Sequence, residues 1–227
     1  MNVNDPKILR LRAQIKAAEE DFETAVMFHE SWKPAAYDKE LHQRLRNSYA
    51  AHTFVIVRTA LRREMLLALL RLWDGNADAV GMDLIAETLR DRAVIGALAA
   101  DRASRFDAAD RAEGLMRRDL GRLADDAIEL IEKYSRGGSH HAVREKLWAL
   151  QSRSLVHRQI AMATAADAAD DEIESFYQDN LALVRLLLSL VRAVAYNPED
   201  AAKIYRLNAA SFWGEVRGER RKPPTNE

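Results

Sequence analysis

A chain of 227 residues can bury one substantial core or at most two small domains, and its composition, 48% apolar and 30% charged with nine Gly and five Pro, is that of a folded helical protein rather than a disordered one. The formal charge of −1 excludes a global basic field that would draw the chain onto nucleic acid or anionic lipid, so any RNA contact has to rest on local patches. The absence of cysteine excludes disulfides, thiolate nucleophiles and Cys-ligated zinc.

Taken in chain order, the hydrophobic pattern predicts about seven helices and no strand, repeat or low-complexity block. The start, Met1 to Pro6, has neither a basic nor an apolar run, so no secretory signal is expected. Apolar residues at three- and four-residue steps predict a first helix from Ile8 to Phe28, with Pro34 beyond it as a breaker. A long second helix is expected from Tyr37 to Trp73, with Tyr37, Leu41, Leu45, Ser48, His52, Val55 and Thr59 on one line and Asp74-Gly75-Asn76 as its stop. A third runs over 81–100. A fourth, from Phe106 to Tyr134, carries acid–base spacings such as Asp119 with Arg122 and reads as a solvated flank.

Arg136-Gly137-Gly138-Ser139 is the clearest break, and a fifth helix follows it to about Ala163. The sixth, carrying Ile173, Phe176, Tyr177, Leu181, Val184, Leu188 and Val191, is apolar on nearly all sides, which places it centrally or at a dimer interface. Its apolar run ends at Tyr196 and is interrupted by Arg185 and Arg192, so no membrane span is expected and the chain reads as cytoplasmic. Asn197-Pro198-Glu199-Asp200 is a strong helix start for a seventh helix reaching Phe212-Trp213. The domain reading is one all-α unit over 1–217 with helical extensions at both ends, and a disordered tail over 218–227.

Motifs that would hold phosphate or metal do not stand out. No GxxxxGK[ST], GxGxxG or HExxH is present, no paired Glu-x-x-His would build a di-iron bundle, and neither cofactor nor metal is expected. His140-His141 reads as an exposed junction rather than a ligand pair. The constellation of most interest is Arg153-Ser154-Leu155-Val156-His157-Arg158. Four residue steps turn a helix by about 400°, which puts Arg153 and His157 on one face. His157 also follows the line of Val143, Leu147 and Leu150, towards packed surface. An imidazole beside a guanidinium suits phosphodiester cleavage: His moves a proton near neutral pH, and Arg holds phosphate and offsets developing charge. The bland reading of the same pair is a core-edge His beside a solvated Arg. A rival pair is Arg46 with His52, but six steps of one helix leave them about 120° apart, and His52 lies on the expected core line, where it reads as structural.

The segment from His29 to Trp73, HESWKPAAYDKELHQRLRNSYAAHTFVIVRTALRREMLLALLRLW, resembles the N-terminal part of abortive-infection HEPN (higher eukaryote and prokaryote nucleotide-binding) proteins, and the Arg–His helix, the apolar sixth helix and Ser211-Phe212-Trp213 follow in the expected order. The resemblance spans most of residues 20 to 215. It implies a HEPN-like helical bundle, a homodimer, and metal-independent endoribonuclease activity of a toxin of phage defence, with a cognate antitoxin or a nucleotidyltransferase as partner. The family motif, Arg followed by His after four to six residues, maps best onto Arg153 and His157, here separated by three. Arg153 would hold the scissile phosphate and His157 handle the proton, with Arg158 and Arg144 contacting the RNA backbone and Arg46 with His52 as the second-choice pair. The shortened spacing keeps an alternative open: a non-catalytic binding module or antitoxin-like subunit that works by protein association through the sixth or fourth helix.

Overall fold

The computed structural model describes residues 4–74, 81–106, 109–156, 169–192 and 198–219, with only the backbone of 109–111, 152–156 and 198. The fold is all-α, with no sheet among the described residues. Nine helices appear there: α1 (Pro6–Tyr37), α2 (Lys39–Leu45), α3 (Ala51–Arg71), α4 (Met82–Arg90), α5 (Arg92–Ala103), α6 (Ala109–Tyr134), α7 (His141–Val156), α8 (Asp170–Arg192) and α9 (Pro198–Glu215).

Two expected helices are each split in two, and the cause is local polar chemistry. Between α2 and α3 the buried Ser48 donates its hydroxyl to the Leu45 carbonyl at 2.8 Å and accepts the Ala50 amide at 3.2 Å, offering the backbone an alternative to the helical ladder. Between α4 and α5, Asp91 adopts an extended conformation and its side chain caps α5 by accepting the Ala93 amide at 3.0 Å. Pro34 does not stop α1, which runs three residues further. Asp38 then caps α2, its Oδ1 accepting the Glu40 and Leu41 amides.

The chain divides into two compact units: Met1–Phe22 with Ala68–Asn197, and Glu23–Leu67 with Pro198–Glu227. In the first, α6 packs against α4, α5, α7 and α8. Its core holds Trp73, Tyr134 and Phe176 with ring centroids 4.9–6.0 Å apart. Their polar tips are satisfied: Trp73 Nε1 donates to Asn180 Oδ1 at 3.0 Å, and the Tyr134 hydroxyl to Asp179 Oδ2 at 2.5 Å. Burial, with the hydrogen bond to Asp179, pushes the Tyr134 phenol above its ordinary range, so it stays a donor. Helix α8 buries Ile173, Phe176, Tyr177, Leu183, Val184, Leu187, Leu188 and Leu190, and so is a central helix of this unit.

The second unit has a smaller core of Ala35, Leu41, Leu45, Ala209 and Trp213, flanked by Phe54, Val57, Leu61 and Val216. Trp213 anchors it. Its indole donates to the Ser31 carbonyl at 2.9 Å, its own carbonyl accepts from Arg44 at 2.8 Å, and its ring meets Phe54 edge-on at 5.6 Å. The break at Ser48 resets the phase of the apolar line: Phe54, Val57 and Leu61 continue it inward, whereas His52, Val55 and Thr59 face outward. Gly218 and Glu219, expected in a disordered tail, are instead held against the α2–α3 turn. The Glu219 carbonyl accepts the Tyr49 amide at 3.3 Å, and a side chain at 218 would meet the Arg44 carbonyl oxygen at 2.1 Å, so only glycine fits that approach.

Candidate functional site

Helix α9 offers the most pronounced surface feature of the second unit. Pro198 at its first turn is preset for the helix, and Glu199 and Asp200 face the positive end of the dipole. Residues Ala202, Arg206, Ala209 and Trp213 recur at four, three and four residues and so share one face at about 100° per residue. That face is the inner one: Ala202, Ala209 and Trp213 are buried, and Arg206 reaches from it to Glu30. On the opposite face Ile204, Leu207 and Phe212 are 60%, 71% and 61% exposed. Three large apolar side chains thus stand in water on a helix whose other side is locked, in contrast to single scattered surface leucines.

The lock is polar. Glu30 on α1 is only 3% exposed, yet Arg206 Nε donates to its Oε2 at 2.8 Å and His29 Nδ1 lies 3.2 Å from its Oε1. Burial pushes this carboxyl up, but the hydrogen bonds from His29 and Arg206 outweigh it and hold the group down at about 2. Glu30 is therefore ionised at neutral pH and ties α1 to α9 within the unit.

Two further places carry chemistry. At the α2–α3 turn Arg46, Tyr49 and His52 are all exposed, and the backbone beneath them is braced by Ser48 and Glu219. In the first unit, an open cleft of about 640 Å³ lies between α4 and the end of α6, lined by Asp83, Glu87, Arg90, Glu132, Ser135 and Arg136 with Leu84 and Ile131 among its apolar residues. Its charges are partly matched: Arg90 pairs with Glu132 at 2.6 Å, and the Ser135 hydroxyl donates to Asp83.

The sequence-predicted residues fall as follows. His157 and Arg158 lie outside the described residues, and Arg153 is described only by its backbone in α7. Arg144 is not an open surface cation: its side chain is 12% exposed, its guanidinium sits 5.5 Å from the centre of the Trp73 ring, and its Nη1 is 3.9 Å from Asp83 Oδ2. Its buried Nε has no hydrogen-bond partner among the described residues. Arg46 caps the end of α2 and His52 lies in the first turn of α3, so the two flank a break rather than sharing one helix, and the expected core placement of His52 is corrected to an exposed one. The expected sixth helix, here α8, is largely buried in its unit, and large exposed apolar side chains stand on α9 instead.

Sequence reasoning missed Ile204, Leu207 and Phe212 as surface residues and Glu30 and Arg206 as a buried pair. A signal existed for the first: Ala202, Ala209 and Trp213 define a face opposite to Ile204 and Leu207. No group of three or more potential metal-ligating side chains occurs among the described residues, and no helix there is long and apolar enough to cross a membrane. Comparison with protein families, with curated proteins and with solved structures returned no match.

Proposed function

We propose that this chain is a non-catalytic helical binding module that works by association, presenting the outer face of α9 to another protein surface. The observation that carries this reading is the pairing of a locked inner face with an outer face on which Ile204, Leu207 and Phe212 are mostly exposed. A helix already fixed by Glu30, Ser31 and Arg44 loses little further freedom on docking, and pre-organisation of this kind favours affinity. The cytoplasmic residence expected from the sequence, and the antitoxin-like role that the shortened Arg–His spacing leaves open, fit such a module.

The test is the size of the chain in extract of its native cells, by gel filtration, for wild type and Leu207→Asp. Elution well above the monomer for wild type and at the monomer for the variant is expected. Monomer elution for both would overturn the reading.

A second reading is metal-independent RNA cleavage by a HEPN toxin, with Arg153 holding phosphate and His157 moving the proton, Arg158 and Arg144 near the substrate, and Arg46 with His52 as the other pair. One observation favours it: Arg46, Tyr49 and His52 stand exposed on a braced turn, offering a guanidinium, a stacking ring and an imidazole. Induced expression of wild type, His157→Ala and His52→Ala, with growth and total RNA followed together, separates the readings. RNA fragmentation and arrest in wild type, lost in either variant, would establish cleavage; intact RNA in all three is the result the association reading expects.

A further inference from the structure

We infer that the outward face of α3 is a second docking surface, shaped for an acidic amphipathic helix of another protein. It is separate from the outer face of α9 and goes beyond the association reading.

Charge is unevenly spread along the second unit. From residue 41 to 63 no Asp or Glu occurs, although the chain carries 35 of them, while Arg44, Arg46, Arg58, Arg62, Arg63 and His52 all fall there. On α3 the inner line is Phe54, Val57 and Leu61, packed on the core. Opposite it, His52, Ile56, Thr59 and Arg63 form an exposed crest, all within about 60° of one another at 100° per residue. Val55 and Ala60 stand exposed on either side of the crest, and Val55 and Ile56 are 36% and 51% exposed. The face therefore runs about 16 Å from His52 to Arg63 at 1.5 Å per residue, basic at both ends and uncharged between them. Arg58 and Arg62 line one flank, half-buried, with the Arg58 guanidinium 5.8 Å from the centre of the Phe54 ring.

These features select among anionic partners. A nucleic-acid strand needs cations along its whole track and rings to stack on, but the middle of this face offers only Val55, Ile56, Thr59 and Ala60. A lipid surface is gripped by bulky Trp, Phe or Leu side chains, and none is exposed on this face. A helix with an apolar stripe fits better. Its stripe meets Val55 and Ile56, and the small Thr59 and Ala60 let the two backbones come close. Its carboxylates meet Arg46 and His52 at one end and Arg63 at the other. Arg63 lies 2.8 Å from its neighbour Glu64 but keeps 46% of its side chain exposed, within reach of a second carboxylate. The contact is small and charge-assisted, so it is weak and salt-sensitive. It dissociates on dilution over a column and leaves the size of the chain in native extract to the α9 face.

The experiment titrates the purified full chain, by fluorescence anisotropy, into a labelled synthetic helical peptide with leucines at three- and four-residue steps flanked by glutamates. A twin peptide carries lysines in place of the glutamates, and single-stranded RNA and vesicles of phosphatidylserine with phosphatidylcholine complete the set. The expected result is saturable binding of the acidic peptide, at least about tenfold weaker for the lysine twin and for Ile56→Asp, which must strip water from a carboxylate to dock. Arg46→Glu with Arg63→Glu weakens it about two- to fivefold at low salt and by less at high salt, as expected for exposed charges. Leu207→Asp leaves it unchanged, which separates this face from α9. Circular dichroism of each variant confirms that it folds. Equal binding of the two peptides, binding of neither, or binding indifferent to Ile56→Asp overturns the inference and leaves the α9 reading standing. RNA or vesicles held through Ile56 and Arg63 in place of the acidic peptide also overturns it and assigns the face to that anion.

Discussion

The two compact units solve the same problem in opposite ways. In the first, the fully buried polar side chains among the described residues are the neutral Gln14 and Asn180, with Arg144 at the edge of the aromatic core over Trp73. In the second, the buried set includes His29 and Glu30, an ionisable pair, while Tyr37, Tyr49, Val55, Ile56, Ile204, Leu207 and Phe212 are left outside. The first unit also leaves Leu9, Phe106 and Leu115 exposed, but it holds no charge among its fully buried side chains; the second combines a buried ionisable pair with the larger share of exposed apolar side chains, and the association reading rests on that contrast.

The largest effect that can break this contrast is on stability. Phe176→Ala in the first unit is expected to cost about 3–5 kcal/mol through lost transfer energy and a cavity against Trp73 and Tyr134. Leu207→Ala in the second should change stability by less than about 0.5 kcal/mol, because its side chain is already in water. Thermal or denaturant unfolding of both measures the difference, and comparable losses would show that α9 has been assigned the wrong outer face.

Next in size is the Glu30 lock. Removing one partner of a buried ion pair is costly, but the Arg206 side chain is 59% exposed and water can take over part of the interaction, so Glu30→Ala is expected to cost about 1–3 kcal/mol. The folded carboxyl is held at about 2, below the ordinary 4.5, so its contribution is fully present above pH 4.5 and is lost as pH falls towards 2. Wild-type unfolding followed from pH 6 to pH 2 should therefore show a loss of stability that Glu30→Gln lacks; parallel curves would remove the lock.

A smaller change follows at the α2–α3 turn. Gly218→Ala forces the backbone away from the Arg44 carbonyl, at about 1–2 kcal/mol, and should accelerate hydrogen exchange of the Tyr49 amide, which that segment holds. The smallest is His52→Ala, within about 0.5 kcal/mol, which distinguishes an exposed imidazole from the structural one that an unbroken helix would require.

These sites also show where the sequence is legible. Large apolar side chains in long phase are read directly: of the seven that mark a helix as central or at a dimer interface, Ile173, Phe176, Tyr177, Val184 and Leu188 are buried, and Leu181 and Val191 are half-buried. The glycine break was equally plain, since Gly137 takes a φ of 89° and Gly138 lies against the Glu132 and Lys133 carbonyls. The failures come from small or polar residues in roles that periodicity cannot weigh. Ser48 interrupts a line that otherwise reads as continuous, and after it the same spacing carries His52 outward. Ala202 and Ala209 form an inner face that looks weaker than the Ile204 and Leu207 face, so hydrophobicity alone would turn α9 around. Glu30 is invisible as a core residue because its partner, Arg206, is 176 positions away.

The most direct test of the central claim is one variant measured twice: Leu207→Asp in the full chain, by thermal unfolding of the purified protein and by gel filtration of native extract, side by side with wild type. The account predicts an unchanged melting temperature with elution at the monomer in place of the larger species that wild type forms. A lowered melting temperature with association intact would contradict it, since Leu207 would then belong to the interior and α9 would have no free face to offer.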